Sequence, residues 1–242
     1  MTLIATFSID GTQFLIGDSL ISSQPKHPVS IPSALNEGNG FLTELAYVSD
    51  VCQKVFQISS DCVIAFAGMK IAAKMVIEDF LELQAKNQLT FETVSRCFNG
   101  YIESGDARHF SVVGWLQEDG IIKNINLDVR EYESSVFGTV SMAGTGVASF
   151  LDLLNHHEKI SATPGGFDPN LGVRYSGPYA DDPMYTALAL TGDLLHVEAN
   201  DMSTVSNSFG GSYQVVYFDG VEFRHIDAVS YTHLTLPTIC SV

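Results

Sequence analysis

The chain is short of basic residues. It has 12 lysines and arginines against 28 aspartates and glutamates, which gives a formal net charge of −16. Proteins that bind nucleic acid or anionic membrane surfaces rely on a basic footprint to neutralise phosphate groups. We therefore expect neither nucleic acid nor a membrane among the partners of this protein.

Long apolar runs and paired cysteines are also missing. No run approaches the roughly 20 apolar residues of a membrane-spanning helix, and no basic segment followed by an apolar one marks a secretory signal. The four cysteines, Cys52, Cys62, Cys97 and Cys240, show no CxxC spacing. This usage is typical of free thiols in a reducing compartment, so we expect a cytoplasmic protein.

Motifs for metals and nucleotides are absent from the sequence as well. His156 and His157 are adjacent and would point in different directions on a helix, and the remaining histidines show no ligand spacing. No glycine-rich nucleotide-binding loop is present. The sequence therefore predicts no metal and no other cofactor.

The secondary-structure pattern alternates strands with pairs of helices. The first 18 residues predict a tight hairpin, in which Leu3 to Ile9 and Gln13 to Gly17 flank the turn signal Asp10-Gly11. Further strands are predicted at Lys54–Ile58, Cys62–Ala67, His109–Gln117, Ile121–Leu127, Ser135–Ala143, Tyr213–Phe218 and Val221–His225. Helices are predicted at Lys70–Lys86, Phe91–Ile102, Val147–His157 and Asp182–His196. Hairpin sheets with paired helices predict an α/β layered sandwich.

Two segments depart from this regular pattern. Residues 22–39 contain three prolines and read as a long loop or insertion. The last residues, 229–242, resemble a translated sequencing-adaptor read-through, so we interpret them as a non-native tail. We therefore expect a single domain over residues 1–228, with an insertion at about 22–51.

A threonine at position 2 is the first candidate for chemistry. Removal of Met1, which is common when a small residue follows, would leave the Thr2 hydroxyl beside a free α-amine. A threonine hydroxyl is a weak nucleophile until a base takes its proton, and its own terminal amine can act as that base. The start of the chain thus predicts a nucleophile and a base within one residue.

Several segments together resemble one family. Lys54-Val-Phe-Gln-Ile-Ser-Ser-Asp-Cys-Val-Ile-Ala-Phe-Ala-Gly68 looks like the proteasome β-subunit segment that begins at the catalytic lysine. The Thr2 hairpin, Asp18 and Gly144-Thr145-Gly146 follow the order found in the proteasome-type N-terminal nucleophile (Ntn) hydrolases. The resemblance extends to about residue 226. It implies a four-layer αββα sandwich of two antiparallel sheets flanked by helices.

The same resemblance implies function. It implies a threonine peptidase acting on peptides or unfolded proteins inside a self-compartmentalised, homo-oligomeric ring. By analogy with the family, an ATPase unfoldase could feed substrates to such a ring, although analogy is an associational argument.

The resemblance also assigns roles to five residues. Thr2 would be the nucleophile, and the Lys54 ammonium would lower the proton affinity of the Thr2 amine through like charge. Asp18 would orient Lys54. Gly68 matches the glycine whose backbone N–H stabilises the oxyanion, and Thr145 matches a serine that hydrogen-bonds the terminal amine.

The sequence departs from the family pattern in two places. The family spaces its acid and lysine more closely than Asp18 and Lys54, which is why we infer the insertion. The family often has an Asp and a Ser before a Gly-Gly pair, whereas Gly210-Gly211 follows Phe209. Ser206 occupies the place of the family's acid, so either Ser208 or Asp201 supplies that support or the support is absent.

The substrate pocket follows from the same register. Phe66 and Lys70 would line the pocket for the residue that precedes the cleaved bond. We expect a shallow pocket that accepts an acidic or a small side chain.

Two alternatives compete with the threonine hydrolase. Gly17-Asp18-Ser19-Leu20 resembles the opening block of GDSL esterases, with Ser19 as nucleophile and Asp193-Leu194-Leu195-His196 as the later Asp-x-x-His. However, the Asn200-Asp201 pair follows this motif and lacks the preceding glycine, so the order of blocks is wrong. The second alternative is a proteasome-fold ring subunit that does not cut, as would follow if Met1 is retained.

Overall fold

The chain folds into a mixed α+β structure. The computed structural model describes residues 2–22, 48–161, 167–168, 173–174, 183–200, 210 and 212–226. Within these residues it contains two large antiparallel sheets and four α-helices, as the sequence pattern predicted. None of the helices in this part of the chain combines the length and the apolar character needed to cross a membrane.

The described part of the chain forms fourteen strands and four α-helices, numbered in chain order. The strands are β1 (Ile4–Ile9), β2 (Thr12–Asp18), β3 (Leu20–Ser22), β4 (Val48–Val51), β5 (Val55–Ser59), β6 (Cys62–Gly68), β7 (Phe110–Glu118), β8 (Ile121–Leu127), β9 (Arg130–Ser134), β10 (Gly138–Ala143), β11 (Phe167–Asp168), β12 (Val173–Arg174), β13 (Tyr213–Phe218) and β14 (Phe223–His225). The helices are α1 (Lys70–Ala85), α2 (Phe91–Ser104), α3 (Val147–Ser161) and α4 (Pro183–Asn200).

The N-terminal hairpin lies at the centre of the larger sheet. This sheet has six strands in the order β14-β13-β2-β1-β10-β9, and all neighbouring strands are antiparallel. The predicted turn is confirmed, because Asp10 and Gly11 have φ angles of 49° and 82°. Positive φ at both central residues is the geometry of the type I′ turn that suits strand twist.

The second sheet has four antiparallel strands in the order β5-β6-β7-β8. It packs face to face on the six-stranded sheet through an apolar interior. The contributing side chains are Ile4, Leu15, Ala143, Val216 and Phe223 of the first sheet and Val55, Val63, Ala65, Ala67, Val113 and Trp115 of the second. The Trp115 indole N–H donates to the carbonyl of Phe14 at 2.8 Å, which adds a polar link between the layers.

The helices cover the outer faces of the two sheets. Helices α3 and α4 pack on the six-stranded sheet through Phe150, Leu154, Ala187, Leu190 and Leu194. On the four-stranded sheet, α1 and α2 pack through Val76, Phe80, Val94, Phe98 and Tyr101. This burial stabilises each sheet on its outer side and leaves the sheet edges and strand ends as the places where a site can open.

Two predicted strands are wrong at their start. The strand predicted over Val221–His225 begins at Phe223. The sequence predicted a strand over Ser135–Ala143, but residues 135–137 form a turn and the strand begins at Gly138. The Ser134 hydroxyl accepts hydrogen bonds from the backbone N–H groups of Val136 and Phe137, which holds this turn. The preceding residues form the unpredicted edge strand β9, whose polar sequence Arg-Glu-Tyr-Glu-Ser gave no strand signal.

The ends of the predicted insertion are paired. Strands β3 and β4 form a two-stranded antiparallel sheet in which Leu20 lies opposite Val51. The greater part of the insertion, residues 23–47, and the predicted read-through tail lie outside the described residues. The short strands β11 and β12 form a separate two-stranded sheet.

Candidate active site

Three of the predicted site residues meet at one end of the sandwich. Thr2 lies two residues before the start of the central strand β1, and Asp18 is the last residue of β2. The hairpin register places Ile4 opposite Gly17, and the Asp18 N–H donates to the Leu3 carbonyl at 3.0 Å. Lys54 lies just before β5 in the other sheet and reaches across to the same point.

The Asp18 carboxylate accepts hydrogen bonds from four groups around the site. Its Oδ1 accepts hydrogen bonds from the Thr2 hydroxyl, from the Leu3 N–H at 3.0 Å and from the Lys54 ammonium at 2.6 Å. Its Oδ2 accepts from the Gly210 N–H at 2.9 Å. Four donors therefore fix one carboxylate, and charge-assisted bonds of this kind are stronger than neutral ones.

The Thr2 hydroxyl is held between opposite charges. It donates to Asp18 Oδ1 and accepts a hydrogen bond from the Lys54 Nζ. All three residues are buried in the full chain, with exposed fractions of 1% for Thr2, 0% for Asp18 and 3% for Lys54. Since buried charges are costly unless they are paired, the ion pair and the hydroxyl form one interdependent group.

The Gly144-Thr145-Gly146 segment lies directly against Thr2. Gly144 has a φ of 103°, and a Cβ on it would fall 1.9 Å from the Thr2 carbonyl oxygen. The Gly146 N–H donates to that same oxygen at 3.1 Å. Thr145 lies between these two glycines in the chain and is exposed. Its hydrogen bond to a free terminal amine stays a prediction.

Gly68 is required by the sheet itself. It ends β6 with a φ of 114°, and a Cβ there would lie 2.3 Å from the carbonyl oxygen of His109. This close approach accounts for a glycine whether or not its N–H contacts a substrate. The oxyanion role of Gly68 therefore stays a prediction.

The predicted pocket residues lie beyond Lys54 along the chain. Phe66 is 7% exposed and stacks on Phe56 with ring centroids 5.8 Å apart. Its backbone N–H donates to the Lys54 carbonyl at 3.2 Å, so it is tied to the site. Lys70 is exposed at the start of α1. Both supporting residues proposed near the Gly-Gly pair, Asp201 and Ser208, lie outside the described residues.

Ser19 has partners that differ from those of an esterase nucleophile. Its hydroxyl oxygen accepts hydrogen bonds from the N–H of Ser212 at 3.0 Å and from the hydroxyl of Ser212 at 2.9 Å. The Asp193 carboxylate of the Asp-x-x-His motif lies 2.8 Å from the His157 imidazole, in the α3–α4 layer. Asp193 is thus engaged between two helices.

Burial disfavours the thiolate form of two cysteines, Cys62 and Cys97. Burial raises the pKa of the Cys62 thiol to about 12, with a smaller contribution from the charge of Asp61. Burial likewise raises the pKa of Cys97, followed by the effect of Asp79. Because the thiolate is the reactive form, the raised pKa values make both side chains less reactive at neutral pH.

Two residues that contact the chain around Lys54 were not predicted from the sequence. Gln214 on β13 accepts hydrogen bonds from the backbone N–H groups of Lys54 and Val55. Gly17 on β2 allows the start of β5 to approach closely. Neither has a local sequence signal, because each acts on a strand that is distant in the chain.

No protein-family model matches the chain, and no curated protein sequence matches it.

Proposed function

We propose that the protein is a threonine-type peptidase or amidohydrolase that uses Thr2 as its nucleophile after removal of Met1. The observation that carries this proposal is the buried hydrogen-bonded group of Thr2, Asp18 and Lys54. A hydroxyl, a cation and a fixed carboxylate are what an activated oxygen nucleophile needs around it.

The proposed reaction proceeds in two stages. The free Thr2 amine takes the proton of the hydroxyl, and Oγ attacks the substrate carbonyl carbon to form a tetrahedral oxyanion. The amine then returns the proton to the leaving nitrogen as the C–N bond breaks, which leaves an ester on Oγ. Water hydrolyses the ester by the same proton route in reverse, releasing the acid and regenerating Thr2.

The remaining residues have supporting roles in this scheme. Lys54 places positive charge beside Thr2, which favours the neutral, basic form of the nearby amine. Asp18 holds that ammonium in place and is itself held by Gly210. Gly68 would donate its N–H to the oxyanion, and Thr145 would hydrogen-bond the amine.

We also propose the Ntn hydrolase fold, in which two antiparallel sheets lie between two helix layers. The packing of α1 and α2 on one sheet and α3 and α4 on the other supports it. From the family resemblance, and not from the packing, we also propose a homo-oligomeric, cytoplasmic ring that degrades unfolded proteins or peptides. An ATPase unfoldase as its partner rests on the family analogy alone.

Hydrolysis of fluorogenic peptides tests the function and the specificity together. We expect turnover of peptides with a small or acidic residue before the cleaved bond. Replacing Thr2 by alanine removes the nucleophile, so turnover should fall by at least about 1,000-fold. The Thr2→Ser variant keeps a hydroxyl and an amine and should retain measurable activity.

The outcomes separate the alternatives. Turnover that is equal in the wild type and Thr2→Ala contradicts the proposal. Loss of turnover in Ser19→Ala with retention in Thr2→Ala identifies the esterase instead. A wild-type protein that hydrolyses no peptide, with Met1 lost or retained, favours the silent ring subunit. A preference for large apolar residues overturns the pocket assignment.

A further inference from the structure

Gln214 links the two sheets at the position of Lys54. It lies on β13 opposite Gly17, in the six-stranded sheet. Its side-chain oxygen accepts hydrogen bonds from the backbone N–H groups of Lys54 at 3.1 Å and Val55 at 3.3 Å, in the four-stranded sheet. Because the N–H groups of Lys54 and Val55 are both donors, the Gln214 amide must face β5 with its oxygen and not with its nitrogen.

The neighbouring Gly17 makes this link sterically feasible. A Cβ on Gly17 would lie 2.8 Å from the Val55 side chain and 3.8 Å from the Cβ of Lys54. The backbone of β2 therefore approaches the start of β5 closely. The Gln214 side chain, on the neighbouring strand β13, reaches the backbone N–H groups of Lys54 and Val55. Gly17 and Gln214 together hold the backbone of Lys54, the first through close packing and the second through a hydrogen bond.

The other backbone group of Lys54 is fixed as well. Its carbonyl accepts a hydrogen bond from the Phe66 N–H at 3.2 Å, which belongs to β6. Gln214 supplies the partner for the Lys54 N–H. Because the N–H and the carbonyl of Lys54 are both hydrogen-bonded, its backbone is fixed. From this position its side chain extends to Asp18 and Thr2.

We propose that Gln214 is a positioning residue for the reaction. Its side-chain carbonyl fixes the Lys54 backbone by a hydrogen bond, so that the Lys54 ammonium lies against the Thr2 hydroxyl. This inference rests on the proposed function of Thr2. Gln214 contacts backbone groups and not the reacting atoms, so it acts through Lys54. Displacing a charged group by about 1 Å can cost about 100-fold in rate.

The test is the second-order rate at which a peptide epoxyketone modifies the purified protein, followed by intact mass across a range of pH. The Gln214→Leu variant keeps the size of the side chain and loses the acceptor, and we expect it to react about 10- to 100-fold more slowly. Displacement of Lys54 weakens the like-charge effect on the Thr2 amine, so the acid limb of the rate–pH profile should move to higher pH. Gln214→Glu keeps an acceptor oxygen at the same distance from the backbone and should restore most of the rate.

A matched control comes from a second bridging glutamine. The Gln57 amide donates to the carbonyl of Phe223 at 2.9 Å and so also joins the two sheets, but it does not contact Lys54. Gln57→Leu should therefore react at the wild-type rate with an unchanged pH profile. If Gln214→Leu does not fold, Gln214→Asn, whose amide is too short to reach β5, replaces it with the same expected loss.

The outcomes distinguish this inference from the proposed function. A wild type that forms no adduct overturns the proposed function, and the role of Gln214 is overturned with it. A reactive wild type with an equal rate and pH profile in Gln214→Leu, or in its Asn replacement, overturns the positioning role alone. Equal losses in Gln214→Leu and Gln57→Leu also overturn it, because they would reflect general loosening of the sheets.

Discussion

Replacing Asp18 by alanine is expected to lower the free energy of unfolding by about 3–5 kcal/mol and to abolish reactivity at Thr2. The Asp18 carboxylate is fully buried and accepts a hydrogen bond from the equally buried Lys54 ammonium at 2.6 Å. Its removal leaves that ammonium without a counter-charge and leaves the Leu3 and Gly210 N–H groups without their acceptor. Urea unfolding followed through Trp115 fluorescence measures the change.

A double-mutant cycle separates the ion pair from general damage. Replacing Lys54 by methionine in the Asp18→Ala background removes the uncompensated charge, so the double variant should be more stable than the sum of the single losses predicts. The solvent-exposed Lys86–Glu82 pair is the control, and Lys86→Ala should leave the unfolding midpoint nearly unchanged. Additive effects at Asp18 and Lys54 would contradict the buried coupling.

Replacing Gly144 by alanine is expected to reduce modification of Thr2 by at least about 100-fold. A Cβ at this position would lie 1.9 Å from the Thr2 carbonyl oxygen and 2.6 Å from its carbon. Both are backbone atoms of the nucleophile itself, so relief of the clash must move Thr2. The φ of 103° adds strain for any residue with a side chain. The rate of epoxyketone modification measures the effect.

Gly100 provides the control for this prediction. It lies in helix α2, and a Cβ there would meet no atom within 4 Å. Gly100→Ala should therefore keep the wild-type rate and raise the free energy of unfolding by about 0.5–1 kcal/mol, because alanine favours the helix. A Gly144→Ala protein that reacts as fast as Gly100→Ala would contradict the assignment of Thr2.

Local signals in the sequence were sufficient for most of the fold. The Asp10-Gly11 turn requires positive φ at both positions, and the structure has it. Helix α2 could be predicted because its apolar stripe is regular, and its ends are fixed by a Thr90–Thr93 capping box and by Gly105 with a φ of 82°. Such features depend on neighbours in the chain, so they can be read without knowing the fold.

Features that depend on distant strands could not be predicted in the same way. The edge strand β9 is stabilised by its pairing with β10, which compensates for a polar sequence. The contact between Gln214 and Lys54 joins residues 160 positions apart. Thr2 was predicted from its hydroxyl beside a terminal amine, whereas Asp18 and Lys54 were predicted only through a family resemblance. The structure adds the burial and the hydrogen bonds that make the three residues one group.

The most direct test of the central claim is the intact mass of the purified protein before and after treatment with a peptide epoxyketone. This reagent requires both a terminal hydroxyl and a free terminal amine on the same residue. We predict loss of Met1, a single adduct in the wild type, and no adduct in Thr2→Ala. A retained Met1, or a protein that has lost Met1 and forms no adduct, would contradict the assignment of Thr2 as the nucleophile.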